Sequence, residues 1–294
     1  MLRLNLSKFM VILAFSLLVV INMAEAKSPL EVDIKRKIPY GAHELQHVDI
    51  YQPERCRAPA SCPVVLWVHG GGWRNGDTSG RKSTSMQTLW AQQGIVMVGV
   101  NYRLSPDVVH PAHVEDVAAA INWSYKNIAR YGGDPARMSL LGHSAGAHLV
   151  ALVATNPRFL GAHHLDPAQL LKNVFPIDTA SFDLTDASRM VDRMVENAFG
   201  TDPIVLKDAS PLQHVQNGRN YPSFIIAAAE NRPVAIATSQ RLHAALTQSG
   251  TSSSLITINY PEVGQLKAHA QIATDLADLS KPLTQKLIGT VLGR

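Results

Sequence analysis

Gly142-His143-Ser144-Ala145-Gly146 sets a serine midway between two glycines, directly after an apolar run and before a helix expected to start near Ala145. A serine in so tight a strand-to-helix turn is held in a strained backbone conformation. Glycines two residues to either side remove the side chains that would collide there. The helix start behind the serine offers free N–H groups and a positive dipole end to developing negative charge. That combination suits nucleophilic attack on a carbonyl carbon. His69-Gly70-Gly71-Gly72-Trp73 supplies the complement. Three successive glycines let the backbone turn its N–H groups into a cavity. Gly71 and Gly72 are expected to join the Ala145 N–H as donors to the oxyanion, with His69 orienting the loop rather than reacting. The run has neither the G-x-G-x-x-G spacing nor the Lys-Ser/Thr pair of phosphate-binding loops.

Both motifs need elements to position them. Residues 64–68, 95–100, 138–141, 173–177, 221–229 and 255–260 are short, nearly continuous apolar runs rich in β-branched residues. Such runs suit strands buried on both faces of a parallel sheet. Val114, Val117, Ile121, Tyr125 and Ile128 recur at helical spacing, and that helix is expected to end at Gly132-Gly133. Residues 235–248 and 282–292 read as two further helices, and 31–35 and 48–51 as antiparallel strands opening the sheet. The alternation predicts an α/β fold with a mostly parallel central sheet and helices on both faces.

Composition bounds the class. The chain has 294 residues, 46% hydrophobic and 17% charged, enough to bury a large core without staples. A formal net charge of +4, with no basic cluster interleaved with aromatics, gives no argument for nucleic acid. Arg3 and Lys8 precede an uncharged apolar stretch over 9–24, which ends in Ala24-Glu25-Ala26. This is the anatomy of a secretory signal, and it predicts a signal peptide over 1–26, a single domain over 27–294, and no membrane anchor after cleavage. The expected destination is outside the cell or in a periplasm. Cys56 and Cys62, with five residues between them in a polar loop, are expected to form a small disulfide in that oxidising setting.

His69-Gly70-Gly71-Gly72-Trp73, Gly76-Asp77, Asn101-Tyr102-Arg103-Leu104-Ser105-Pro106, Tyr131-Gly132-Gly133-Asp134-Pro135 and Gly142-His143-Ser144-Ala145-Gly146-Ala147-His148-Leu149 together resemble the α/β-hydrolases. The resemblance is to the esterase branch, with carboxylesterases, carbohydrate esterases and arylformamidase-like enzymes. It implies hydrolysis of esters or amides through an acyl-serine without a cofactor, and chain order nucleophile, acid, histidine. Of the twelve histidines, His269 lies in the implied place, in a loop after the strand over 255–260. Its implied role is to take the Ser144 proton and return it to the leaving group.

The acid is where this chain departs from the family pattern. The usual Asp follows the strand over 224–229, in a Gly-x-x-Asp-x-Pro-Val-like setting. Here the text is Ala228-Ala229-Glu230-Asn231-Arg232-Pro233-Val234; an ungapped match puts Arg232 at the usual Asp position, and a one-residue shift puts Asn231 there. Glu230 is the only acid in that turn and is assigned as the orienting carboxylate. Asp178 or Asp183, after the strand over 173–177, is the alternative, as is a Ser–His pair with no carboxylate. Trp73 and Tyr102 follow strand ends and are expected at the substrate pocket. His163, His164 and Asp166 lack the further ligands that a zinc site needs, and no metal is assigned.

The expected activity is an exported serine esterase acting on a small-molecule or carbohydrate-linked ester. An amide or formamide hydrolase on the same residues is the second reading. A hydrolase-fold binding protein with impaired catalysis is the third.

Overall fold

A computed structural model describes residues 30–57, 59, 62–186 and 193–294, so the expected signal peptide lies outside the described residues. Among the described residues, eight strands form one sheet in the order β1-β2-β4-β3-β5-β6-β7-β8. They are β1 (Val32–Pro39), β2 (His47–Pro53), β3 (Cys62–Val68), β4 (Val96–Val100), β5 (Gly133–His143), β6 (Leu171–Ile177), β7 (Ser223–Ala229) and β8 (Ser253–Ile258). The β1–β2 and β2–β4 pairs are antiparallel, and every other pair is parallel. The principal helices are α1 (Arg81–Gln92), α2 (Ala112–Asn127), α3 (Ala145–Thr155), α4 (Arg193–Phe199), α5 (Pro233–Gln248), α6 (Gln265–Asp275) and α7 (Pro282–Leu292). No helix among the described residues is long and apolar enough to cross a membrane.

The apolar strands are buried on both faces because helices cover both. On β3, Val64, Leu66 and Val68 face one core with α2, α3 and α5, through side chains such as Val117, Val150 and Leu242. Val65 and Trp67 face the other, with Trp90 of α1, Ile272 of α6 and Leu287 of α7. Trp90 also donates its indole N–H to the Leu276 carbonyl at 2.9 Å, tying α1 to the end of α6. The central helix α3 is buried along its whole length, which fits its run of Ala, Leu and Val. The expected helix over 114–128 is α2, continued by a 3-10 turn (Ile128–Tyr131) and closed by Gly132 in the left-handed region, φ 74°. The expectations missed α1 and α6. Both are amphipathic but carry few strongly apolar residues, α1 burying Met86, Gln87, Trp90 and Ala91 and α6 burying Ala268, Ile272 and Asp275, so neither stands out as an apolar segment.

Register decides which loops meet. Val68 pairs with Gly142, His143 with Ile177, Ile177 with Ala227, and Ala229 with Ile258. The carboxyl ends of β3, β5, β6 and β7 therefore open on one edge of the sheet. The residues that follow them (His69, Ser144, Asp178 and Glu230) all emerge on that edge, where α/β sheets bind ligands.

Cys56 and Cys62 are joined by a disulfide, with Cα atoms 5.7 Å apart. It clips the β2–β3 connection, and the carbonyl of Cys56 accepts a hydrogen bond from Gln52 at 2.8 Å. So short a loop limits the entropic gain. Replacing both cysteines by serine is expected to cost about 2 kcal/mol and lower Tm by roughly 4–8 °C in calorimetry. An unchanged Tm would show that the link constrains nothing that its surroundings do not already hold.

Candidate functional site

Ser144 occupies the junction of β5 and α3 at φ 57° and ψ −121°, a conformation that L-residues rarely adopt. The turn is held by hydrogen bonds on both sides. Ser144 N–H donates to the Ile177 carbonyl at 3.0 Å, and the Ser144 carbonyl accepts from His148 N–H at 3.1 Å. The flanking glycines are sterically required. A Cβ at Gly142 would strike the Gly146 carbonyl, and one at Gly146 would strike the carbonyl of Val68. The hydroxyl is thus presented above the sheet edge with α3 running away behind it.

His269 receives it. Its Nε2 lies 2.9 Å from Ser144 Oγ. The expectation put His269 in a loop, but it sits in the second turn of α6, which begins after Gly264. A helix fixes the ring more firmly than a loop does, and it places Ile272 of the same helix in the core beneath. The imidazole stacks on His143, centroids 4.4 Å apart, and the His269 carbonyl lies 3.0 Å from His143 Nε2. Burial, then the neighbouring His269, pushes the His143 imidazole down to about 3, so it stays neutral and donates to that carbonyl.

The carboxylate on His269 is Asp178, not Glu230. Asp178 Oδ2 lies 2.6 Å from His269 Nδ1, and its Oδ1 accepts from Ala229 N–H at 3.1 Å. Glu230 is exposed and accepts from the Thr257 hydroxyl at 2.9 Å, pointing along β8 away from the imidazole. The reason is topological. β6 lies next to β5, so a residue one step beyond β6 stands beside Ser144, whereas the end of β7 is one strand further off. Asp183 is turned elsewhere, bonded to Thr185 and Arg241.

Arg232 completes the cluster. Its Nη1 lies 2.6 Å from Asp178 Oδ2, 3.2 Å from the Asp178 carbonyl and 2.7 Å from His269 Nδ1. Burial alone would raise the Asp178 carboxyl. The hydrogen bond from His269 and the charge of Arg232 outweigh it and hold the group below the usual carboxylate range. Asp178 itself adopts φ 53°. The sequence does contain a signal for this arrangement. A cation standing where an acid is usual, at the foot of a buried pocket, demands a carboxylate nearby.

The glycine loop lies over Ser144. Gly71 and Gly72 have φ 121° and 61°, and the loop closes on itself as Asn75 N–H donates to the Gly71 carbonyl at 3.0 Å. Among the described residues, the amides of Gly71, Gly72 and Ala145 donate to no protein acceptor, and all three residues line the cavity. His69 is buried, which lowers its imidazole and keeps it neutral, and its Nδ1 lies 2.8 Å from the Gly70 carbonyl. Its part is to shape the loop, as expected. Tyr102 is not at the pocket. It is fully buried beneath the loop, donates its hydroxyl to the His69 carbonyl at 3.0 Å and stacks on the His69 ring. Trp73 does line the cavity, packed edge-on against Phe199 of α4.

The cavity above Ser144 measures about 710 Å³. Trp67, Met86, Leu266 and Ala273 make much of its wall apolar, while Asp77 and Lys82 add charged side chains to the lining. Among the described residues, His143, Asp178 and His269 are close enough together to share a metal ion. Each is already engaged in hydrogen bonds, and the Arg232 guanidinium neutralises the carboxylate. His163, His164 and Asp166 lie elsewhere, with Asp166 capping a short helical turn through Ala168 N–H.

The profile of the BD-FAE family matches residues 48–246. The chain is 32% identical over 260 residues to Esterase LipQ of Mycobacterium tuberculosis, covering 82% of this chain and 57% of that protein. It is 30% identical over 203 residues to Esterase LipC of the same organism, covering 65% and 49%. The chain thus spans about half the length of the curated relatives it matches. In architecture it is similar to Esterase B from Lactobacillus rhamnosis, with a TM-score of 0.72 at 21% identity over 98% of this chain and 94% of that one. With the strand order, the serine turn and the glycine loop above it, these matches establish that the chain belongs to the BD-FAE family, in the esterase branch of the α/β-hydrolases.

Proposed function

We propose that this chain is a serine hydrolase of carboxylic esters, working through an acyl-serine. The observation that carries the reading is the continuous hydrogen-bonded line from Ser144 Oγ through His269 to Asp178, opening into a largely apolar cavity. His269 Nε2 accepts the hydroxyl proton as Oγ attacks the ester carbonyl. Asp178 fixes the tautomer with the proton on Nδ1 and stabilises the imidazolium that forms. The carbonyl oxygen, now negative, takes hydrogen bonds from the N–H groups of Gly71, Gly72 and Ala145. Each such donor lowers the barrier by about 3–4 kcal/mol. The imidazolium then protonates the departing alkoxide, leaving an acyl group on Ser144. Water enters, gives its proton to Nε2 and releases the acid by the same steps in reverse.

Ester rather than amide hydrolysis is supported by the relatives, which bear the names esterase and carboxylesterase. The reading as an impaired binding protein rested on the missing acid in the β7–α5 turn, and Asp178 removes that motive. Export rests on the basic, apolar, small-residue order over 1–26 and on the Cys56–Cys62 bond, which suits an oxidising compartment.

Purified protein is expected to turn over p-nitrophenyl acetate and to be labelled by a fluorophosphonate, both abolished in Ser144→Ala. Turnover surviving that change would remove Ser144 as the nucleophile. Acetyl esters should be cleaved faster than N-formyl amides of matched leaving group, and the reverse preference would favour the amide reading. Asp178→Asn should lower kcat by up to about 10⁴-fold, whereas Glu230→Gln should stay within about twofold of wild type. Equal losses in the two variants would contradict the assignment of the acid. N-terminal sequencing of protein recovered outside the cytoplasm should begin at Lys27.

A further inference from the structure

Arg232 stands in a relation to the other site groups that the hydrolytic steps do not use. Its side chain is only 18% exposed, and its partner Asp178 is fully buried. Nη1 carries two hydrogens, and Asp178 offers an acceptor for each, Oδ2 at 2.6 Å and the backbone carbonyl at 3.2 Å. The guanidinium therefore grips the aspartate at both side chain and main chain, at a residue whose φ of 53° needs external support. The 2.7 Å approach of Nη1 to His269 Nδ1 also sets this fixed cation directly against the imidazole.

That contact has a consequence opposite to the grip. The Asp178 carboxylate and the Arg232 guanidinium set opposite charges against the same nitrogen of the imidazole. Around His269 the remaining titratable groups are few. His143 on β5 stacks on the ring and is neutral, and Ser144 faces Nε2. Tyr260, after β8, bonds to Asp275 of α6 rather than to Asp178. Asp77 and Lys82 lie on the cavity wall with α1 and the glycine loop. Arg232 is the fixed cation in contact with the pair.

We propose that Arg232 is a positioning residue for the displaced acid, and that its charge sets the acid limit of activity. This rests on the hydrolase reading of the same site. The β7–α5 turn supplies the clamp and β6 the carboxylate, and the clamp keeps the Asp178–His269 pair from taking up a proton as the medium acidifies.

The test is the pH profile of kcat/KM for p-nitrophenyl acetate in the wild type, Arg232→Gln and Arg232→Lys. Gln keeps donors for Asp178 without the charge, and Lys keeps the charge without the two-point grip. Arg232→Gln should move the acid limb upward by about one pH unit and lower kcat at least tenfold, with KM changed little. Arg232→Lys should return the limb to within about 0.3 unit of wild type while kcat recovers only in part. Losses of kcat in both variants with an unmoved acid limb would reduce Arg232 to a structural role and overturn the proposal. So would wild-type kinetics in Arg232→Gln. Ser144→Ala runs in parallel: if it remains active, Ser144 is not the nucleophile and the acyl-serine reading of this site has failed, whatever the Arg232 variants do.

Discussion

The close approach between the β5–α3 turn and the end of β3 governs the architecture of this site. Gly146 packs on the carbonyl of Val68, and Gly142 on that of Gly146, with no space for a side chain at either contact. Because the turn is that tight, Ser144 is driven to φ 57° and its hydroxyl stands clear of the sheet. For the same reason the loop after β3 must pass directly over it, and a Cβ on Gly70 would come within 2.9 Å of Ser144 Cβ. The placement of Ser144 and of the amides that face it thus follows from one packing contact. A buried α3 and a parallel β3–β5 pair hold that contact in place.

A second constraint acts on charge. The edge of the sheet buries a carboxylate at Asp178, and an isolated buried carboxylate would take up a proton rather than remain charged. It is satisfied from three directions, by His269, by Ala229 N–H and by Arg232. Each donor comes from a different segment (α6, β7 and the β7–α5 turn), so the ionic cluster also pins together parts of the chain far apart in sequence. Such clusters commonly contribute little net stability, because desolvation offsets attraction. Their worth here lies in holding one geometry.

The rest of the fold serves these two requirements. α1 and α7 cover the face opposite α2, α3 and α5, which keeps every central strand dry and the register fixed. The glycine loop is supported from below by the stacked, hydrogen-bonded rings of His69 and Tyr102, of which the sequence alone suggested Tyr102 for substrate contacts. Trp73 faces the cavity instead, wedged against Phe199. Two aromatics at equivalent strand ends thus have different duties. Tyr102 leaves β4 beneath the loop and bonds to the His69 carbonyl, whereas Trp73 belongs to the loop itself and lines the cavity.

By itself the sequence determined what local chemistry can dictate. Glycines spaced two residues from a serine, three glycines after an apolar strand, and alternating strands and helices were legible because sterics and periodicity act within a few residues. His269 was reached through chain order, although its helix was not, since α6 buries only Ala268, Ile272 and Asp275 and is otherwise a largely polar stretch. Only the tertiary structure decided the acid. Glu230, Asp178 and Asp183 are all carboxylates after apolar strands, and nothing local separates them. The strand order places the end of β6 beside Ser144 and leaves Glu230 bonded to Thr257. Which carboxylate meets the histidine is set by contacts spanning up to 91 residues, through sheet register and the demand of a buried charge for partners.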